Sequence, residues 1–314
     1  MMKLLKFVHG VPVPRFFPDD AVISALSYEP QPGDVFIVTY PKCGTTWVQC
    51  IAYGIYNDGQ PPPDLAGFLA KSPYIELFGA DAVKSMPRPG TIKTHLPFDE
   101  RRFSSRAKYI YVARNPYDVC VSLYHHFRTQ TVAAKEPIGF DECLRCFVSG
   151  DINFGSYLED SLIPWYNRRH ESNVLFLTYE DLHADVKPQV KRIAEFLGEH
   201  YARLISRDSA MLQRVVDMST KQSMRPFFRD FITANFEFVV DHRNSKNIPV
   251  TREVLGVLEF LRSRPPGHEF VRNGTVGGYK DVLSDFHKEV LREWISAKAS
   301  GSDVMNLWPS TNIA

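Results

Sequence analysis

The sequence predicts a three-layer α/β fold, in which a central parallel sheet is flanked by helices. Four short runs of bulky, mostly β-branched and aromatic residues recur along the chain, and helical patterns lie between or after them. The first run leads straight into a loop that contains lysine and glycine and then into a helical pattern, as in a phosphate-binding turn. With 314 residues, 44% of them hydrophobic, the chain suits a single domain over residues 1–314.

The predicted strands alternate only weakly between apolar and polar residues, which favours strands buried on both faces. They are residues 35–39, 91–94, 109–113 and 174–178. The predicted helices are residues 46–56, 117–127, 156–170 and 187–197. Because ligands of parallel sheets lie beyond the carboxyl ends of the strands, we expect the loops after these strands to form one site.

Three further segments are predicted as loops or lids because of their prolines or irregular pattern. They are residues 61–63, 130–137 and 224–249. Within the last segment, residues 227–238 are dense in aromatic side chains but lack a clean period. This density suits either a helix end with a lid over a hydrophobic pocket or ordinary core packing.

Charge and cysteine content narrow the class of protein. A formal net charge of +1 gives no broad basic surface, which disfavours extended binding to nucleic acid. Residues 1–10 are interrupted by charge and no apolar run is long enough to span a membrane, so we expect a cytoplasmic protein. The five cysteines are expected to be reduced thiols, and the pair Cys143 and Cys146 lacks the further ligands of a zinc site, so no metal is predicted.

The first functional motif is Tyr-Pro-Lys-Cys-Gly-Thr-Thr-Trp at residues 40–47. A strand-to-helix turn presents free N–H groups at the positive end of the helix dipole, Gly44 allows close approach of an anion, and Lys42 adds a charge. Nucleotide hydrolases carry the lysine after the second glycine of this loop, whereas here Lys42 precedes Gly44. A metal-dependent ATPase or GTPase is therefore a weaker interpretation, as is an ordinary turn with a surface lysine.

Two more motifs follow predicted strands. Lys-Thr-His-Leu-Pro at residues 93–97 places His95, a candidate general base with a pKa near working pH, two residues after Lys93. Residues 111–122 end a strand at Arg114 and begin a helix near Pro116, and Ser122 lies two turns along that helix. Arg114 is therefore expected at the anion-binding edge of the sheet.

In this order and at these separations, the three motifs resemble those of the cytosolic sulfotransferase family. The resemblance continues in Leu-Thr-Tyr-Glu-Asp-Leu at residues 177–182 and in residues 270–278, so it covers nearly the whole chain. It implies a P-loop-like fold and the transfer of a sulfuryl group from 3′-phosphoadenosine 5′-phosphosulfate (PAPS) to an acceptor hydroxyl or amine, without a metal. The product of the donor would be adenosine 3′,5′-bisphosphate (PAP).

The resemblance also implies roles for individual residues. The implied cofactor-binding residues are Lys42, Cys43, Gly44, Thr45, Thr46, Trp47, Arg114, Ser122, Tyr179, Ser219, Arg272, Asn273 and Gly274. The implied catalytic residues are His95 as general base, Lys93 on the sulfuryl oxygens, Lys42 on the leaving oxygen, and Ser122, which would restrain Lys42. In-line transfer needs an activated nucleophile and charge stabilisation of this kind.

Several positions depart from the family pattern. Cys43 stands where a small hydroxyl residue is usual, and a thiol beside a lysine at a helix N-terminus is expected to have a lowered pKa, so that its oxidation would block cofactor binding. Asn273 replaces a lysine and Lys221 replaces an adenine-packing phenylalanine, which is expected to alter cofactor affinity. The family's dimer segment is degenerate around Asp285, whose burial would be costly, so we expect a monomer or a weak homodimer.

The acceptor pocket is predicted to be lined by Tyr74, Leu77 and the loop at residues 129–140. The predicted acceptor-binding residues are Tyr74, Leu77, Lys93, His95 and His126. A small phenol or a catechol or phenolic amine is the leading acceptor, and steroid-like hydroxylated acceptors remain open. Two rival classes are a P-loop nucleotide kinase or hydrolase and a nucleotide-binding protein without catalysis.

Overall fold

The computed structural model describes residues 5–130, 138–263, 271 and 274–309, without the side chains at residues 129 and 130. The predicted site residues Arg272 and Asn273, and nearly all of the predicted loop at residues 130–137, lie outside the described residues. Within the described ranges, no helix is both long enough and apolar enough to cross a membrane.

The described chain combines strands, α-helices and short helical turns. The strands are β1 (Leu5–Val8), β2 (Val11–Pro14), β3 (Val35–Thr39), β4 (Ile92–Thr94), β5 (Lys108–Ala113) and β6 (Val174–Thr178). The first helices are α1 (Asp19–Leu26), α2 (Thr45–Tyr56), α3 (Leu65–Lys71), α4 (Ile75–Phe78), α5 (Ala80–Lys84), α6 (Pro116–Gln130), α7 (Phe140–Ser149) and α8 (Ile163–Asn167). The later helices are α9 (Tyr179–Ala184), α10 (Val186–Leu197), α11 (Glu199–Arg207), α12 (Ser209–Met218), α13 (Lys221–Phe227), α14 (Phe231–Ser245), α15 (Arg252–Ser263) and α16 (Asp285–Lys298). Short 3₁₀ turns occupy Glu100–Arg102, Gly278–Asp281 and Val304–Leu307.

The central sheet has four parallel strands in the order β4-β3-β5-β6. Phe36 of β3 aligns with Ile92 of β4 and with Tyr109 of β5, and Tyr109 aligns with Val174 of β6. The predicted parallel sheet is therefore confirmed, with strand bounds that differ by at most one residue. Because all four strands run in one direction, the loops that follow them emerge at the same edge.

Both faces of this sheet are covered, which explains the weak alternation of its strands. Ile37 and Ile110 point to one side and share an apolar cluster with residues of α2 and α10. Phe36 and Tyr109 point to the other side, where their rings stack with centroids 5.3 Å apart beside residues of α6, α8 and α16. A strand with an apolar neighbour on each face has no polar side to present, so it shows no period of two.

A third apolar cluster joins the β1-β2 hairpin to α3 and α14, and it includes Val13, Phe68 and Phe231. The prediction of a loop or lid at residues 224–249 is wrong, because α13 and α14 cover most of that segment. Buried Phe228, Phe231 and Val239 recur at helical spacing, and the partly buried aromatic residues between them hide the period.

The helix predicted at residues 156–170 is irregular. A π-helical turn covers Leu158–Leu162, and α8 continues it only as far as Asn167. Pro164 lies in the first turn of α8 and carries no N–H, so it cannot extend a regular ladder of hydrogen bonds across this point.

Tyr157, at the start of the same segment, fixes the loop that leaves β5. Its hydroxyl donates to the carbonyl oxygen of Arg114 at 2.6 Å and accepts from the Arg114 N–H at 3.0 Å. The side chain is fully buried, so neither group has water as a substitute. One hydroxyl therefore satisfies both backbone groups of Arg114.

We expect Tyr157→Phe to lower the free energy of unfolding by about 1–3 kcal/mol, because it leaves a buried N–H and a buried carbonyl unpaired. The measurement is chemical denaturation followed by circular dichroism. The control is Tyr53→Phe, at a buried tyrosine of α2 whose hydroxyl has no hydrogen bond to a described residue; its expected change is below about 0.5 kcal/mol. Equal effects of the two substitutions would contradict this role of Tyr157.

Candidate active site

The loop between β3 and α2 forms a concave turn of backbone N–H groups. Lys42 and Gly44 have φ values of +74° and +101° on either side of Cys43, and α2 begins directly afterwards at Thr45. Backbone turns of this kind present successive N–H groups to an anion, and the N-terminus of a helix adds its positive dipole. The loop therefore suits a phosphate or sulfate group, as the sequence predicts.

Gly44 is required by a close approach as well as by its φ. A Cβ atom at this position would lie 2.9 Å from Cδ2 of Tyr179, the first residue of α9. The Tyr179 ring lies 4.2 Å from the guanidinium carbon of Arg114, and its hydroxyl donates to the carbonyl of Gly274 at 2.8 Å. The loops that follow β3, β5 and β6 are therefore packed around one aromatic ring.

Arg114 connects two of these loops through its guanidinium group. The buried side chain donates to the carbonyl oxygen of Lys42 at 3.0 Å and to that of Thr275 at 3.1 Å. Since a guanidinium group has five N–H donors, these two bonds leave donors for an anion. Arg114 is thus oriented by the backbone before any ligand arrives.

His95 lies just beyond β4 and is almost fully buried. Its Nδ1 is 2.8 Å from the carbonyl oxygen of Thr39 and 3.2 Å from the Thr39 hydroxyl. A carbonyl oxygen can only accept, so Nδ1 carries the hydrogen and Nε2 carries the lone pair. Burial, followed by the charge of Lys93, holds the pKa of His95 well below its ordinary value. The expectation of a pKa near working pH is therefore wrong, and the imidazole is neutral.

Tyr74 contacts both His95 and Lys93. Its ring meets the imidazole edge to face with centroids 5.3 Å apart, and the Nζ of Lys93 lies 3.9 Å from its centroid. Burial lowers the pKa of Lys93 to about 8, an effect opposed by the charge of Glu76 and reinforced by Lys42. The ammonium group is thus held against an aromatic face, beside the imidazole.

A single cavity of about 440 Å³ brings these groups together. The predicted site residues that line it are Lys42, Gly44, Thr45, Thr46, Trp47, Tyr74, Leu77, Lys93, His95, Arg114, Ser122, His126, Tyr179, Ser219 and Gly274. Their individual roles remain predictions, but the structure places them around one volume. Burial and the nearby Lys42 also hold the pKa of His126 well below its ordinary value.

The described lining of this cavity is cationic. It contains the side chains of Lys42, Lys93, Arg114 and Lys221, and no carboxylate is among the described lining residues. The potential inside such a cavity favours anionic ligands.

Cys43 is a predicted cofactor-binding residue that does not line the cavity. Its side chain is fully buried in the core cluster behind the loop. Burial raises the pKa of the thiol to about 12, which outweighs the lowering effects of Arg114, Tyr157 and Lys42. The predicted low pKa and the oxidation hypothesis built on it are therefore wrong, because the loop turns the thiol away from the helix N-terminus.

Several lining residues lie outside the motifs. Phe16 and Phe17 follow the β1-β2 hairpin, Phe154 faces His95 with centroids 5.6 Å apart, and Asn235 and Phe236 belong to α14. The aromatic density of residues 227–238 indicated the residues of α14, because one interpretation of it was a lid over a hydrophobic pocket. The hairpin gave no signal, because its contact with the cavity depends on tertiary packing alone.

Known proteins match this chain over most of its length. The family model described as "Sulfotransferase domain" matches residues 32–303. Sulfotransferase 1B1 of Mus musculus is 34% identical over 317 residues, which cover 96% of this chain and 93% of that protein. Sulfotransferase 1A1 of Bos taurus is 29% identical over 315 residues, which cover 96% of this chain and 95% of that protein.

Solved structures share the fold. The mouse sulfotransferase SULT7A1 complexed with PAP has a TM-score of 0.68 at 22% identity, covering 97% of each chain. Retinol dehydratase in complex with androsterone and the inactive cofactor PAP also has a TM-score of 0.68, at 21% identity, covering 94% of this chain and 88% of that chain. At these identities the likeness concerns the fold alone.

We expect Gly44→Ala to destabilise the protein by about 1–3 kcal/mol, because alanine is strained at φ +101° and its Cβ would push the Tyr179 ring. Pyrophosphate is expected to raise the melting temperature of the wild type but not that of the variant. Gly256→Ala is the control, since its Cβ on α15 meets nothing within 4 Å, and it should stabilise by about 0.5–1 kcal/mol. A Gly44→Ala protein that keeps both stability and the pyrophosphate effect would contradict the tight packing of this loop.

Proposed function

The chain belongs to the sulfotransferase family, and on this premise we propose that it transfers a sulfuryl group from PAPS to the hydroxyl of a small aromatic acceptor, with His95 as the general base. The observation that carries the proposal is the shared cavity, in which the anion-binding loop, Lys93 and His95 face one volume. The rival classes, a nucleotide kinase or hydrolase and a non-catalytic protein, are not favoured by the family match.

The residues present fit PAPS by their chemistry. The N–H groups of the loop from Lys42 to Thr46, with the Lys42 ammonium, suit the 5′-phosphosulfate, and the absence of a side chain at Gly44 leaves the backbone open to it. Arg114 and Ser122 suit the 3′-phosphate. Trp47, Tyr179 and Ser219 supply two aromatic faces and a hydroxyl for the adenine. The family match extends through Arg272 and Asn273, for which we propose the same 3′-phosphate role.

Bound PAPS supplies the sulfuryl group and leaves as PAP. The neutral His95 can accept the proton of an acceptor hydroxyl at Nε2, because its Nδ1–H is already held by Thr39. The ammonium groups of Lys93 and Lys42 face the same volume and can stabilise negative charge on the transferred group and on the departing oxygen. Ser122 lines the same cavity as Lys42, which supports the proposal that it restrains the Lys42 side chain.

The walls of the cavity favour a neutral acceptor. Aromatic and aliphatic side chains, among them Phe17, Phe154 and Phe231, enclose the side occupied by His95. An ammonium group in this volume would meet Lys42 and Lys93 without any carboxylate among the described lining residues. Of the acceptors that the sequence suggests, we therefore favour phenols and other neutral hydroxyl compounds over phenolic or catechol amines.

We further propose that the chain works in the cytoplasm as one domain and as a monomer or weak homodimer. In support of the last point, Asp285 is fully exposed and pairs with Lys288 of its own helix at 3.1 Å. A dimer that covered this position, which the family uses for an apolar contact, would therefore bury a charge.

The general-base role is tested by His95→Ala with PAPS and 4-ethylphenol in metal-free buffer. We expect release of PAP to fall by about 10²–10⁴-fold, because proton transfer from the acceptor is lost. PAP affinity, measured by calorimetry, should stay within about twofold of the wild type, because no cofactor contact is removed. The control His200→Ala changes an exposed histidine of α11 and should leave turnover unchanged. Full activity in His95→Ala would refute the role, and a wild type that does not bind PAP would refute the function.

The acceptor class is tested with two phenols, 4-ethylphenol and tyramine, which is 4-ethylphenol with an ammonium group on its terminal carbon. We expect kcat/KM to be at least about tenfold higher for 4-ethylphenol, because no carboxylate among the described lining residues can pair with the ammonium group of tyramine. Initial rates of PAP release at pH 7 give this ratio. A higher kcat/KM for tyramine would show that amines are the preferred acceptors.

A further inference from the structure

We propose that Glu76 is a positioning residue of this reaction, which holds the backbone of His95 and keeps Lys93 charged. The proposal rests on the proposed function, in which these two side chains act on the acceptor and on the transferred group. Glu76 does not line the cavity, so any effect that it has must pass through its neighbours.

Glu76 lies on α4 and is completely buried. Its Oε1 accepts a hydrogen bond from the hydroxyl of Thr94 at 3.0 Å and another from the backbone N–H of His95. These two residues form the exit of β4, the strand that carries Lys93 and His95 into the cavity. A single carboxylate oxygen therefore fixes the point at which the catalytic loop leaves the sheet.

The second oxygen, Oε2, has no hydrogen-bond partner among the described residues. A buried carboxylate in this condition is costly unless cations compensate its charge. Lys93 and Arg102 both interact with Glu76 electrostatically, although the Nε of Arg102 lies closer to Asp99, with which it forms an ion pair at 3.6 Å. Among the described residues, Glu76 therefore interacts electrostatically with Lys93 and Arg102 but forms no salt bridge.

Hydrogen bonds hold the segment before Glu76 along β4, and they fix the position of the carboxylate. Gln49 of α2 donates to the Ser72 hydroxyl at 2.8 Å, and that hydroxyl lies 2.7 Å from the Thr91 hydroxyl. The backbone N–H of Lys93 donates to the carbonyl oxygen of Pro73 at 2.9 Å. Tyr74 then places its ring against Lys93 and His95. Side chain and backbone contacts of one short segment therefore support both catalytic residues.

The proposed effect of Glu76 on the charge of Lys93 follows from the groups that face Lys93. These are Glu76, Lys42, His95, His126 and the rings of Tyr74 and Phe231, and of these groups only Glu76 carries a negative charge. Burial and Lys42 lower the pKa of Lys93, whereas Glu76 raises it. Burial raises the pKa of Glu76 to about 7, opposed by its hydrogen bonds and by Lys93. Each group thus favours the ionised form of the other, and removing the carboxylate charge should let Lys93 lose its proton at lower pH.

The first test measures the titration of Lys93 without turnover. Competitive acetylation with trace acetic anhydride, read by peptide mass spectrometry over pH 6–10, reports the unprotonated fraction of the amine. Glu76→Gln keeps the shape and the acceptor oxygen but removes the charge, so its Lys93 pKa should fall by about one unit, which makes labelling near pH 7 about fivefold faster. Thr94→Val, which removes one hydrogen bond to Glu76 and no charge, is the matched control and should move that pKa less than Glu76→Gln does. An unchanged Lys93 titration in Glu76→Gln would overturn the proposal.

The second test links this charge to the reaction. The alkaline limb of kcat/KM with 4-ethylphenol should move to lower pH in Glu76→Gln and stay near the wild-type position in Glu76→Asp, which retains the carboxylate. Lys93→Arg should move the limb upward in an otherwise wild-type protein, because a guanidinium group does not lose its proton in this range. This variant decides the matter even if Glu76→Gln fails to fold, since an unmoved limb would overturn the role of the Lys93 charge. A wild type that turns over no acceptor would refute the proposed function, while the labelling experiment would still decide whether Glu76 controls Lys93.

Discussion

The exit of strand β3 determines the geometry of the site, because functional side chains from two other strands bind to its carbonyl groups. His95, after β4, donates to Thr39, and Arg114, after β5, donates to Lys42. The order β4-β3-β5 places these donors on either side of the acceptor strand. A change in the path of β3 would therefore displace the imidazole and the guanidinium together, along with the anion-binding loop that continues from the same strand.

Burial has the same direct effect but different outcomes for two basic groups of the cavity, His95 and Lys93. It disfavours the charged form of both, so His95 becomes a neutral imidazole with a free Nε2 lone pair. The same burial would remove the charge of Lys93, but the Tyr74 ring and the Glu76 carboxylate favour the ammonium form. Lys93 and His95, two residues apart along the chain, thus hold different charge states, which suits the cation and the base of the proposed reaction.

The two sides of the cavity are built in different ways. The side proposed to bind the cofactor consists of strand-end loops that are tied to one another around Tyr179, whose ring leaves no room for a side chain at Gly44. The side proposed to bind the acceptor includes the β1-β2 hairpin and α14, which belong to a separate apolar cluster. Sequence changes in this second cluster can alter the acceptor volume without moving the sheet, which is why family membership defines the chemistry more sharply than the acceptor.

The sequence by itself determined the parallel sheet, the anion-binding loop and the positions of Lys42, Lys93, His95 and Arg114, because each depends on a local pattern at the end of an apolar run. The predictions of a reactive thiol at Cys43 and of a loop or lid at residues 224–249 were wrong. They depend on the direction of a side chain and on the packing of aromatic residues, respectively. Only the tertiary structure decided the neutral state of His95, the cationic lining of the cavity and the place of Glu76 behind the catalytic loop. These properties arise from burial and from charges on separate elements, which the spacing of residues along one chain does not encode.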